Sequence, residues 1–131
     1  MYRIAFIFAA LLAGAATLPG EPVEVKHASV AFIAEESAVV PGRTLQLALH
    51  FELEPEWHIY WKNPGASGLP VEIDWDLPAG FEAGAIRWPA PHRIEMAGLV
   101  NYGFEEAVTL MVPITVPEDL SPGETVRLKA E

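Results

Sequence analysis

Leu45, Leu47, Leu49, Phe51 and Leu53 alternate with Thr44, Gln46, Ala48, His50 and Glu52. A period of two sends successive side chains to opposite faces of an extended strand, so this run reads as a strand with one buried face. Val108, Leu110, Val112, Ile114 and Val116 repeat the pattern, and Val71, Ile73 and Trp75 do so against Glu72, Asp74 and Asp76. Val30–Phe32 and Val126–Leu128 are shorter versions. No window sustains the 3.6-residue apolar spacing of an amphipathic helix. Pro41-Gly42, Pro64-Gly65, Pro78-Ala79-Gly80, Pro89-Ala90-Pro91 and Pro122-Gly123 stand between the runs, where a fixed or positive φ turns the chain. The expected class is all-β: a two-sheet, immunoglobulin-like β-sandwich whose inward residues form one shared core. That core is expected to hold Leu47, Leu49, Phe51, Ile73, Leu110, Val112 and Ile114. Pro113 interrupts the strongest pattern without an N–H to donate, which places it at an edge or a bulge.

With 131 residues the chain has room for one domain, and 51% hydrophobic residues supply its core. Its first part is different in kind. Met1-Tyr2-Arg3 is a short positive start, Ile4 to Ala16 is apolar and uncharged, and Ala13-Gly14-Ala15-Ala16 offers the small residues a signal peptidase accepts. Residues 1–19 are therefore expected to be a secretory signal peptide, cleaved near 15–16, and residues 20–131 the single domain it exports. The apolar stretch ends before Pro19-Gly20, short of the roughly 20 residues that span a bilayer. Eight basic against 18 acidic residues give a net charge of -10, a balance that repels nucleic acid and anionic membrane surfaces. The sequence has no cysteine, so no disulfide holds the fold and thiol chemistry is closed to this chain.

Two segments are candidates for recognition. In an extended run from Trp57 to Lys62, Trp57, Ile59 and Trp61 fall on one face and His58, Tyr60 and Lys62 on the other. The first face reads as core. His58 and Tyr60 are either half-buried residues with satisfied hydrogen bonds or part of a working surface. Val100-Asn101-Tyr102-Gly103-Phe104 combines turn-forming residues with two aromatics and is expected to be a loop, either a plain hairpin connection or a cap. His27, His50, His58 and His92 are spaced unlike any compact ligand motif, so no metal site is expected. The acids are spread over turns and solvent faces, the serines lack a nucleophile-elbow context, and no glycine-rich phosphate cradle follows a strand. No catalytic residue and no cofactor are expected on these grounds.

Taken together, Glu56 to Trp75, Leu77-Pro78-Ala79-Gly80-Phe81, Ile86-Arg87-Trp88-Pro89-Ala90-Pro91 and Gly98-Leu99-Val100-Asn101-Tyr102-Gly103 resemble the N-terminal periplasmic domain of the DsbD/ScsB thiol:disulfide interchange (protein-disulfide reductase) family. The resemblance runs from Pro41 to Glu131. It implies a periplasmic location and a longer protein whose membrane domain draws electrons from cytoplasmic thioredoxin. A C-terminal thioredoxin-like domain would hand them to this domain and on to periplasmic disulfide-bearing proteins, cytochrome c assembly being one process served. It further implies that aromatics of the Trp57–Lys62 strand lie beside the redox cysteines and that the Val100–Phe104 loop caps them. His58, Tyr60, Asn101, Tyr102, Gly103 and Phe104 would then form the cap or docking surface.

Tyr102 and Gly103 match the family's pattern, whereas Asn101 stands where relatives carry an aromatic. The family's cysteines are expected after a strand resembling Val126 to Ala130, with His58, Tyr60 and Tyr102 gathered near it around an aromatic-lined depression. On that reading the domain is incomplete at its C-terminus, redox-inert by itself, and linked to a membrane only through missing downstream segments. Some ScsB-like relatives are associated with copper tolerance, and Met96 and Met111 are the soft ligands of the mature part. A rival reading is an exported aromatic-rich carbohydrate- or protein-binding β-sandwich. Its sugar platform would need two coplanar exposed rings among Trp57, Tyr60, Trp61, Trp75 and Trp88.

Overall fold

Alternating runs need partners, because an extended strand leaves its N–H and C=O groups open on both edges. The computed structural model describes residues 2–8, 22–36, 38–123 and 125–131. Among them the chain is all-β, with β1 (Tyr2–Phe8), β2 (Val23–Val25), β3 (Ala28–Ala34), β4 (Ala38–Val39), β5 (Thr44–Leu53), β6 (His58–Gly65), β7 (Trp75–Asp76), β8 (Glu82–Ala83), β9 (His92–Met96), β10 (Leu99–Glu105), β11 (Ala107–Thr115) and β12 (Thr125–Ala130). The leader expected at residues 1–19 contributes β1, and its cleavage region near 15–16 lies outside the described residues.

The strands form three ladders where the periodicity predicts two sheets. A five-stranded ladder runs β2, β3, β5, β11, β8, a three-stranded one β6, β10, β9, and a four-stranded one β4, β1, β12, β7. The two strongest alternating runs are direct neighbours: β11 pairs antiparallel with β5 without a break from Ala107 opposite Glu52 to Thr115 opposite Thr44. On its other edge β5 pairs with β3 from Ala28 to Ala34. Tyr2–Phe8 runs parallel to β12 and meets β4 through Tyr2 and Arg3.

Two hydrophobic clusters join the ladders. One gathers Val30 and Phe32 of β3, Leu45, Leu47 and Leu49 of β5, Val112 and Ile114 of β11, Val39 of β4, and Val126 and Leu128 of β12. The five-stranded ladder therefore faces the four-stranded one across it. The second cluster holds Val108 and Leu110 of β11 and Phe104 of β10, with Ile59 and Trp61 of β6 against them, so the three-stranded ladder faces the same sheet. Leu47, Leu49, Leu110, Val112 and Ile114 are buried as expected, each contributing about 1.5–3 kcal/mol over an exposed position. Phe51 and Ile73 are only partly buried and lie against the core rather than inside it.

Pro113 sits within β11, opposite Gln46, and not at a bulge. Its carbonyl accepts a hydrogen bond from the Gly84 N–H at 2.8 Å, on the side away from β5. A strand residue points its N and its C=O to the same side, so the missing N–H falls on the edge away from β5, which meets the two-residue β8, Gly84 and the Arg87–Met111 bridge. The run at Val71 to Asp76 keeps alternating exposure, yet only Trp75–Asp76 is a strand, paired with Ala130 and Lys129. Pro64-Gly65, expected as a turn, instead ends β6, and the chain turns afterwards at Ala66–Ser67.

Leu49→Ala should lower stability by about 2–5 kcal/mol in urea unfolding, since it opens a cavity at a side chain that is 3% exposed. Ile33→Ala, at a position on β3 that is 44% exposed, should stay within about 0.5 kcal/mol of the parent.

Candidate functional site

Trp57 was expected on the core face with Ile59 and Trp61, but β6 begins only at His58. Trp57 belongs to the turn before it, where its N–H donates to the Glu54 carbonyl at 3.0 Å and Glu56 takes a φ of 71°. Its indole is 47% exposed and stacks flat on the His27 ring at 3.6 Å. His27 Nδ1 in turn lies 2.9 Å from the Glu54 carboxylate. From His58 on, the alternation holds. Ile59 and Trp61 pack against the Phe104 cluster, and His58 and Tyr60 share the other face with their rings edge to face at 4.8 Å.

Val100 to Phe104, expected as a loop, lies in strand β10. The actual turn is one step earlier, at Ala97-Gly98, where both residues have positive φ (49° and 79°) and connect β9 to β10. Gly103 is not a turn former here. It faces Tyr60 across the ladder, and any side chain on it would collide with the Ile59 carbonyl, so glycine is what lets β6 and β10 approach.

The six candidate residues separate by burial. Phe104 is 3% exposed and is a core residue, Gly103 is buried, and Asn101 is 1% exposed. None of these three presents an accessible surface. Tyr102 is 39% exposed, and His58 and Tyr60 are half-buried. The β6–β10 ladder brings all six together, with His58 opposite Glu105, Tyr60 opposite Gly103 and Gly65 opposite Asn101. β12 belongs to another ladder and contributes to the other core cluster. A depression does flank the end of β12, but Asp74, Trp75, Asp76, Lys129, Ala130 and Glu131 line it, and its aromatic is Trp75 rather than Tyr60 or Tyr102.

Sequence reasoning missed the segment that follows β6. The register of β10 on β6 slips between Asn101 and Gly103, and there the Asn101 side-chain carbonyl accepts hydrogen bonds from the Ser67 N–H at 2.9 Å and the Ser67 hydroxyl at 3.1 Å. The Ala66 N–H donates to the Val100 carbonyl at 3.0 Å. The chain then returns over Tyr60, Gly68 resting against its ring and Pro70 bridging to it in parallel sense. Gly-Ala-Ser-Gly after a strand was the available signal, since two glycines around small residues permit close backbone contact. Exposed apolar side chains stand nearby in sequence: Leu69 at 84%, and Met96 and Leu99, register partners beside the hairpin turn, at 46% each.

Of the four tryptophans only Trp57 is strongly exposed, and His27 covers one of its faces; Trp61, Trp75 and Trp88 pack against the clusters. The histidines are dispersed over a turn, β5, β6 and β9, and no three His, Asp or Glu side chains group as a metal site among the described residues.

The comparisons with known proteins point one way. No curated protein sequence matches the chain. Among solved structures, the N-terminal periplasmic domain of ScsB from Proteus mirabilis is similar in fold, with a TM-score of 0.62 and 23% identity over 73% of this chain. The chain spans 38% of that protein's resolved length. The family described as "Thiol:disulfide interchange protein DsbD, N-terminal" matches residues 29–131, which includes every strand from the second residue of β3 onward. With that match covering most of its length, the chain belongs to the DsbD N-terminal domain family.

Proposed function

We propose that this chain is the N-terminal domain of an exported DsbD/ScsB-type thiol:disulfide interchange protein, an immunoglobulin-like β-sandwich carried to the periplasm by a signal peptide at residues 1–19. Its task is to receive thioredoxin-like and disulfide-bearing partners in the transfer of reducing equivalents. The observation that carries this reading is the family match over residues 29–131 in a chain without a cysteine.

Disulfide exchange starts when a thiolate attacks a disulfide sulfur, proceeds through a mixed disulfide, and ends when a second thiolate releases it. Both thiolates are indispensable. Without either, this chain supplies shape and surface, and the cysteine pair of the working protein comes from residues outside this sequence. Tyr102, exposed on β10, and the His58–Tyr60 pair on β6 are the side chains a partner would touch. Tyrosine suits such a contact because it buries an apolar ring while keeping a hydroxyl for water or a partner. Gly103 sets the spacing of the two strands, and Asn101 and Phe104 act from within. The net charge of -10 favours partners that present a positive face. The sugar-platform alternative draws little support, because His27 covers one face of Trp57 while Trp61, Trp75 and Trp88 pack against the hydrophobic clusters.

Extending the chain with the coding sequence that follows Glu131 tests the proposal. The extension should bring a cysteine pair, and the extended protein should form a mixed disulfide with a thioredoxin-like domain whose resolving cysteine is replaced, while the present chain forms none. A downstream sequence without cysteines, or an extended protein that gives no mixed disulfide, would overturn it.

Two substitutions separate surface from core. Tyr102→Ala in the extended protein should speed modification of its cysteines by iodoacetamide several-fold, and an unchanged rate removes a shielding role from Tyr102. Phe104→Ala should instead lower the stability of the present chain by about 3–5 kcal/mol in chemical denaturation.

A further inference from the structure

The outer edge of β6 is the exposed side of a three-stranded ladder, since β10 holds its inner side. Unpaired strand edges invite pairing with other chains, and native folds commonly cover them. Here the chain covers its own edge. After β6 it turns at Ala66–Ser67, lays Gly68 against the Tyr60 ring, and brings Pro70 into a parallel bridge with Tyr60. Leu69, between these two contacts, is 84% exposed and adds little to holding the segment down.

The Ala66 N–H, bonded to the Val100 carbonyl, ties down the start of the segment, and Asn101 ties down the next residue. The Asn101 side-chain carbonyl is the shared acceptor for the Ser67 N–H and the Ser67 hydroxyl, and Asn101 is 1% exposed. A backbone N–H stripped of its acceptor in a part-buried position is left unsatisfied, which favours the open position of the segment. Gly68 contributes from the other side. Its φ of 90° and its contact with the Tyr60 ring leave no room for a side chain, so the closed position depends on glycine there.

We infer that residues Ala66–Pro70 form a latched flap over Tyr60 and the β6 edge, and that Asn101 is the positioning residue that keeps it closed. In the closed state the Tyr60 ring is half-buried and the β6 edge is bridged at Tyr60, while Tyr102 remains accessible. Opening the flap frees the Tyr60 face for a docking thioredoxin-like domain, a step that rests on the thiol:disulfide reading above. The flap itself stands apart from that reading, because every residue in it belongs to this chain.

Tyrosine nitration by tetranitromethane, followed by peptide mass spectrometry on the full chain, tests the flap without any cysteine or partner. In the parent, nitration should fall mainly on Tyr102 and spare Tyr60. Asn101→Ala, which removes the latch, and Gly68→Ala, which forces the segment off the ring, should each raise Tyr60 nitration several-fold and leave Tyr102 unchanged. Hydrogen exchange at the Ser67 amide should accelerate in Asn101→Ala. If Asn101→Ala fails to fold, Gly68→Ala carries the test alone. Unchanged Tyr60 nitration in a folded variant, or an equal rise at Tyr60 and Tyr102, overturns the proposal. Either result leaves the mixed-disulfide experiment on the extended protein unaffected.

Discussion

The pairing of β5 with β11 is the contact from which the rest of the molecule is built. Nine residue pairs run from Ala107 with Glu52 to Thr115 with Thr44 without a slip, so a displacement by one residue would turn every buried leucine and valine toward water. β11 also serves two cores. Val108 and Leu110 lie in the cluster shared with β6 and β10, whereas Val112 and Ile114 lie in the cluster shared with β4 and β12. One strand thus fixes two ladders against the same sheet. Pro113 sits inside it at no cost to the β5 pairing because its nitrogen faces the side away from β5.

The β6–β10 region shows how a partly exposed face can be hung from a core. Ile59, Trp61 and Phe104 anchor the ladder on one side, leaving His58 and Tyr60 to the other. The close approach at Gly103 and the register slip beside Asn101 place the Ser67 donors within reach of the Asn101 carbonyl. Asn101 is the one buried polar residue among those described, and its side-chain carbonyl accepts two hydrogen bonds from the same serine. A buried amide with few competing partners is a specific tie, because the alternative to its hydrogen bonds is an unsatisfied group in a poorly solvated place.

Membership in the DsbD N-terminal family and the absence of cysteine set the terms for chemistry. Thiol exchange needs sulfur, and nothing in a scaffold of carboxylates, imidazoles and phenols replaces it. Under the function proposed above, the domain would contribute the geometry within which exchange occurs: a ladder with an exposed tyrosine and a half-buried one. An all-β fold without disulfides also depends on its hydrophobic clusters alone, which gives the period-two burial in β5 and β11 a larger share of stability than it would have in a cross-linked domain.

Much of this was legible in the residues. The alternation at Leu45–Leu53 and Val108–Val116 determined that these runs are strands and which of their faces is buried, because side-chain direction in an extended chain is a local property. The motifs around Trp57–Trp75 and Val100–Gly103 pointed to the family. Trp57, Asn101 and Gly103 show where local reasoning stopped. Trp57 left the core because the strand starts one residue later and the His27 turn, thirty positions away, offers a ring to stack on. Asn101 and Gly103 resemble turn formers in sequence, yet one is buried to hold Ser67 and the other admits the Ile59 carbonyl. Both roles exist only after β6 and β10 have met. Periodicity within a segment settles which way a side chain points, whereas the tertiary pairing of distant segments decides what it points at.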